Sequence, residues 1–180
     1  MKKFAIATML VLASVAATAA NFVQVEQENV SGRKGSSDSD ATYVRAGKDF
    51  GNYTFGLQSR TAKFTNNTIA NSIETTVANK NVSIMGITPF VGVGHNFTNN
   101  GSSYNYGLVG ATTSMKVGPG FVLAGVKTRV GVGANEPKQT VGFTSYNLPV
   151  AKDVTLSAGL SRSGQTIKEK GVNVGLSFGF

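Results

Sequence analysis

The chain contains no cysteine and one histidine, His95. Without thiols, no disulfide staples the domain, and lipoprotein processing, which needs a cysteine at the cleavage site, is excluded. One imidazole and no thiolate leave little to build a metal site from. Proline is scarce, with four residues. Beyond the first 20 residues no segment shows helical amphipathic spacing, and none is apolar enough over ~20 residues to cross a bilayer as a helix. If the chain is integral to a membrane, only a closed barrel satisfies its backbone there. Acids are few, nine against 17 Lys and Arg. The basic residues are scattered singly from Arg33 to Lys170, with no basic stripe interleaved with stacking aromatics, so a nucleic-acid partner is not expected. A cationic surface instead suits anionic lipopolysaccharide. Gly92-x-Gly94 and Gly131-x-Gly133 lie in strand-like stretches, not at a strand-to-helix turn, which removes a phosphate-loop reading.

The amino terminus has the layout of a secretory signal peptide. Lys2 and Lys3 precede an apolar stretch over residues 4–15, and residues 16–20 are small. Ala17-Thr18-Ala19 fits the small-x-small cleavage rule, which places cleavage after Ala19 or Ala20. Residues 1–20 are thus read as signal peptide and 21–180 as one mature domain. Removing Lys2 and Lys3 takes the basic count from 17 to 15 against nine acids, a net charge of +6. Glycine is abundant, with 22 residues. Within alternating segments it suits a barrel wall, where backbones bend and side chains crowd.

Residues 171–180 carry the clearest pattern. Val172, Val174, Leu176, Phe178 and Phe180 fall on one side, and Asn173, Gly175, Ser177 and Gly179 on the other. Period two is the signature of a strand with one greasy and one small polar face. The segment resembles the terminal strand of bacterial outer-membrane β-barrels. In that family a final Phe, preceded by apolar residues at every second position, is the signal read by the barrel-assembly machinery, which that resemblance makes an expected partner.

Similar alternation recurs upstream. Strands are expected over residues 22–30, 41–47, 52–64, 103–113, 121–133, 140–148 and 154–161. Tight turns fall at 48–51, 116–120 and 149–153, and polar loops at 31–40, 65–72, 98–102, 134–139 and 163–170. Short turns alternating with longer loops are expected of outer-membrane barrels. Between Ile73 and Phe97 the apolar face switches phase near Asn79-Lys80-Asn81, by a turn or by a bulge. A turn at Ile87-Thr88 is preferred, since it puts Pro89 at a strand start. The facing of residues 140–148 is ambiguous. The count is about ten strands, or eight if weak segments merge. The expected fold is therefore all-β: a transmembrane antiparallel up-and-down β-barrel. Across the mature chain the pattern resembles small outer-membrane barrels such as opacity-type proteins and the outer-membrane-protein-A membrane domain. A soluble lipocalin-like barrel would alternate with its apolar face inward. The terminal Phe, the loop asymmetry and the small polar second face argue against it.

No catalytic constellation is evident. His95 shares a face with Val91, Val93 and Phe97, which points it outward as an interfacial side chain. Lipid A deacylase barrels carry a His-x-Ser pair, and here the residue two after His95 is Phe97. Asp38 and Asp40 are paired, but no second His completes the His–Asp couple of outer-membrane proteases. No enzyme, cofactor or metal is expected. The polar faces carry Glu26, Glu28, Arg45, Arg60, Lys127 and Arg129 into the lumen. Four positive against two negative charges suggest a modest anion preference for any current. A basic side chain reaching over from the opposite wall, past small Asn173, Gly175 and Ser177, is expected to pair with Glu26 or Glu28 and obstruct the passage. Phe50, Tyr53, Tyr104, Tyr146 and Phe178 are candidate interfacial girdle residues. The expected role is structural or surface interaction in the outer membrane of a Gram-negative bacterium, in contact with lipid and lipopolysaccharide. A narrow diffusion channel is the alternative, and no surface ligand is named by the sequence.

Overall fold

The structure, a computed structural model, describes residues 21–32, 37–133, 137–165 and 169–180. The expected signal peptide and parts of three expected loops lie outside the described residues. Ten strands follow in order: β1 Phe22–Gly32, β2 Ser39–Phe50, β3 Tyr53–Phe64, β4 Ile69–Asn79, β5 Ile87–Thr98, β6 Ser103–Val117, β7 Gly120–Gly131, β8 Lys138–Ala151, β9 Val154–Gln165 and β10 Glu169–Gly179. Each pairs antiparallel with its neighbours in sequence, and β1 pairs with β10 to close the barrel. The closing ladder runs from Phe22 opposite Gly179 to Gly32 opposite Glu169. Past its end, the Phe180 N–H donates to the Asn21 carbonyl at 3.0 Å, so the last residue is held in the seam. Closure leaves no free sheet edge.

The alternation of the sequence becomes an inside and an outside. On β7, Val122, Ala124, Val126, Thr128 and Val130 point out, while Lys127 and Arg129 line the lumen. On β10, Val172, Val174, Leu176 and Phe178 point out against lumen-facing Asn173. On β8, the lumen takes Val141, Phe143, Ser145 and Asn147, and Tyr146 and Leu148 face out. Both faces of β8 thus carry apolar residues, which is why its facing could not be read from hydropathy. The usual distribution of a water-soluble protein is inverted. Val93, Val172 and Val174 are exposed at 64%, 60% and 60%, whereas Glu26, Glu28 and Glu74 are buried. An apolar surface that encircles the molecule belongs against hydrocarbon rather than water.

At one end the connections are tight, at residues 51–52, 118–119 and 152–153. Gly118 there adopts φ +57°, a left-handed conformation that suits glycine. The fourth connection at this end corrects the expected turn at Ile87-Thr88. β4 ends at Asn79, whose side chain accepts from the Asn81 N–H and caps a 3-10 turn over Lys80–Val82. A second reversal then joins Ile84 to Ile87 through Met85 and Gly86, at φ 51° and 77°. The phase switch near Asn79 is therefore the turn itself, and residues 82–84 form no strand. Pro89 is the third residue of β5, one position beyond the last β4 pair, Ala78 opposite Phe90.

At the other end the strands run further than their apolar alternation. β4 begins at Ile69 and β9 continues to Gln165, inside segments expected to be loop. Polar rungs occur at this end: Thr61 Oγ1 donates to Asn71 Oδ1 of extended β4 at 2.8 Å, and Asn29 Nδ2 of β1 donates to Asp40 Oδ1 of β2 at 2.8 Å. A ladder needs backbone pairing, not greasy side chains, once it leaves the apolar layer.

Candidate functional site: the bridged lumen

The six charged residues expected to face inward, Glu26, Glu28, Arg45, Arg60, Lys127 and Arg129, all line the lumen. They are joined there by Glu74 on β4 and Glu169 on β10. The lumen charge is thus four positive and four negative among the described residues, and the positive excess expected from the sequence is absent.

Glu74 is the centre of the arrangement. It is 2% exposed. Its carboxylate accepts from Lys127 Nζ at 2.8 Å, Arg129 Nε at 2.5 Å, Tyr106 OH at 3.0 Å and Gln58 Nε2 at 3.1 Å. Lys127 and Arg129 stand on β7, three strands round the wall, so these bonds span the lumen rather than run along one ladder. The sequence permits that reach. Opposite Glu74 on β5 is Gly94, and the Tyr106 ring lies where a Cβ at Gly94 would be. Gly92 and Gly110 likewise place no side chain between β4 and β7. A buried carboxylate with four donors has its lone pairs satisfied, which is the condition for a charge to be tolerated at low dielectric.

The network continues to either side. Gln58 accepts from Arg45 Nε at 2.8 Å, and Arg45 makes a two-pronged contact with Glu26 at 2.6 and 3.3 Å. This corrects the expectation that the partner of Glu26 reaches over from the opposite wall. Arg45 is on the adjacent strand, where it sits diagonal to Glu26 because Gln24 is its direct partner. On the far side, Arg129 Nη1 donates to Gln139 Oε1 at 2.8 Å, and Gln139 Nε2 lies 3.5 Å from Glu169 Oε2. A second cluster forms around Glu28, which accepts from Tyr43 OH at 2.6 Å and Ser161 Oγ at 2.5 Å. Arg60 Nε in turn donates to Tyr43 OH at 3.0 Å. The Arg45 guanidinium lies 4.7 Å from the Tyr43 ring centroid, a cation–π contact that ties the two clusters together. The space left is a cavity of about 470 Å³ touched by residues from Phe22 to Asn173.

Outside the lumen, Phe50, Tyr53, Tyr146 and Phe178 are exposed on the outer face toward the tight-turn end. Tyr104 is a correction to that group. It lines the lumen, and its hydroxyl accepts from Asn96 Nδ2 at 3.0 Å, because it shares its parity on β6 with inward Tyr106. His95 faces outward, with Nδ1 2.8 Å from Asn105 Oδ1 and its ring stacked on Phe97 at 5.8 Å.

No protein-family model matches the chain, and no curated protein matches its sequence. Solved structures do. The chain is similar to the NanC porin, with a TM-score of 0.56 at 10% identity, over 88% of this chain and 100% of that one. It is also similar to the translocator domain of the autotransporter NalP from Neisseria meningitidis, with a TM-score of 0.50 at 11% identity, over 88% and 87%. A third is the KdgM porin in complex with disordered oligogalacturonate, with a TM-score of 0.50 at 8% identity, over 88% and 99%. The fold is that of an outer-membrane β-barrel. At these identities the likeness extends to the fold and not to what those proteins carry.

Removing the Glu74 carboxylate leaves two cations unpaired inside the barrel. Glu74→Ala is expected to destabilise the folded barrel by about 3–5 kcal/mol, the cost of breaking a buried ion pair. Asp49→Ala, which breaks the half-exposed Asp49–Lys80 pair (2.7 Å), should cost less than about 1 kcal/mol. Denaturant unfolding in detergent, followed by the gel shift of heat-modifiable barrels, measures both. Equal effects of the two substitutions would contradict the assignment of Glu74 as the internal anchor.

Proposed function

We propose that this chain is a small integral outer-membrane barrel of a Gram-negative bacterium, with a structural or surface-interaction role. Its lumen is bridged by side chains, and no wide pore passes through it. The observation that carries this reading is the set of bonds from Glu74 on β4 to Lys127 and Arg129 on β7, which crosses the interior. A ten-stranded wall encloses a space little wider than its own side chains, so one such crossing obstructs most of it. The encircling apolar surface and the pattern of tight turns at one end support insertion with the turns in the periplasm and the loops outside. The kinship with opacity-type and outer-membrane-protein-A-like barrels belongs to this proposal. So does the absence of catalysis, since His95 is turned toward the lipid with an amide and a phenyl ring as its partners.

A narrow diffusion path is the second reading. The cavity of about 470 Å³ favours it, and two of the similar structures are named as porins. With lumen charges in balance, it carries no anion preference. Planar-bilayer recording separates the two. Wild-type protein should show no steady conductance, and Lys127→Ala with Arg129→Ala should produce openings. Large steady currents in the wild type, unchanged by the double substitution, would establish the channel instead.

The outward row Val172, Val174, Leu176, Phe178 and Phe180 is proposed as the segment read by the barrel-assembly machinery. Phe180→Ala should leave export intact and lower the fraction of membrane-inserted, heat-modifiable protein in cells. Normal insertion of that variant would sink this assignment.

A further inference from the structure

Toward the loop end, the outward rows of β9 and β10 each stop at a cation. Leu160 is followed by Arg162, and Val172 is preceded by Lys170. In the ladder these two cations are direct partners. Both are exposed, and among the described residues neither makes an ion pair. Like charges placed opposite one another on a sheet repel, and an anion over the pair relieves that repulsion. Lys63 on β3 and Lys138 on β8 face outward on the same border. The one outward strand acid there among the described residues, Asp40, accepts from Asn29 and is the direct ladder partner of Lys63, so it faces that cation and not the Arg162–Lys170 pair. Next to the cations, the outward faces of β1 to β4 carry hydrogen-bonding rungs, Thr42 Oγ1 to Gln27 Oε1 at 2.8 Å and Thr61 Oγ1 to Asn71 Oδ1 at 2.8 Å. Such side chains gain nothing from hydrocarbon, and they suit a headgroup of sugar and phosphate.

We propose that Arg162 and Lys170 clamp a phosphate of the lipid A headgroup of lipopolysaccharide at the upper border of the apolar belt. The proposal rests on the outer-membrane reading, which places the loop end in the lipopolysaccharide leaflet. Two cations on adjacent strands, just above Leu160 and Val172, leave the acyl chains against the apolar wall while the phosphate takes charge-assisted hydrogen bonds. Lys138 and the Asn, Thr and Gln rungs extend a surface of matching chemistry for the remaining phosphate and sugar hydroxyls.

The test uses the folded barrel in phosphatidylcholine nanodiscs, titrated with labelled lipopolysaccharide, with lipopolysaccharide stripped of its lipid A phosphates, and with phosphatidylglycerol. Wild-type protein should bind lipopolysaccharide. Arg162→Gln with Lys170→Gln should bind at least about tenfold more weakly, the loss of one charge-assisted contact. Removing the phosphates should produce a similar loss in the wild type. Lys48→Gln, which deletes an outward cation at the tight-turn end, should leave binding unchanged. Undiminished binding by the double variant, an equal loss in Lys48→Gln, or equal binding of phosphatidylglycerol would each overturn the clamp. Heat-modifiability of every variant is recorded alongside. A folded, inserted barrel that ignores the double substitution refutes the clamp alone, whereas a chain that does not insert refutes the membrane reading and the clamp with it.

Discussion

A barrel that turns its apolar side chains outward has no greasy core to hold its walls in place, so its interior must be stabilised by polar groups that satisfy one another. Glu74 meets that requirement for this chain. Its four donors come from β3, β6 and β7, which link one side of the wall to the other across the lumen. Gln58 passes the connection to Arg45 and Glu26, and Arg129 passes it to Gln139. Because each donor depends on an acceptor already engaged elsewhere, the network is cooperative, and a partly satisfied version of it would be worse than an apolar interior. Gly94 follows from the same constraint, since a Cβ there would collide with the ring of Tyr106, one of the four donors to Glu74.

The lumen is graded along its axis. The charged and hydroxylated groups Glu28, Tyr43, Arg60, Arg129 and Glu169 occupy positions in the loop-side half of their strands. The turn-side half is lined mostly by uncharged residues, among them Thr76, Ala78, Phe90 and Leu123, with the Glu26–Arg45 pair as its charged members. A solute entering from the turn end therefore meets a largely uncharged wall before the main layer of paired ions. Outside, exposed aromatic residues gather at the turn end, Phe50, Tyr53, Tyr146 and Phe178 among them, whereas Arg162 and Lys170 stand opposite one another at the loop end.

Most of the fold was legible because a closed barrel imposes period two on every strand, and β7, β9 and β10 obey it without interruption. The inward charges of β1, β2, β3 and β7 were legible for the same reason. Glu74 is placed inward by Ile73, Thr75 and Val77 on the alternate positions, but the change of phase near Asn79 obscures the register of that segment, and parity alone does not mark one acid as the hub of a network. Glu169 falls in a stretch that reads as charged loop, because charge alone does not distinguish a loop from the wet end of a strand. The turn over residues 80–86 is hidden for a conformational reason: Met85 adopts a positive φ that its side chain does not advertise. The cross-lumen contacts themselves had no sequence signal, since they join strands that are not neighbours, and periodicity describes only which face a residue occupies.

The central claim is that β4 and β7 are energetically joined through Glu74. A double-mutant cycle on folding stability with Glu74→Gln and Arg129→Gln measures that link directly. The structure predicts a favourable coupling of about 1–3 kcal/mol, as for contacting residues within one ionic network. Additive effects, with coupling within about 0.3 kcal/mol of zero, would mean that the two side chains do not meet across the lumen and would contradict the account.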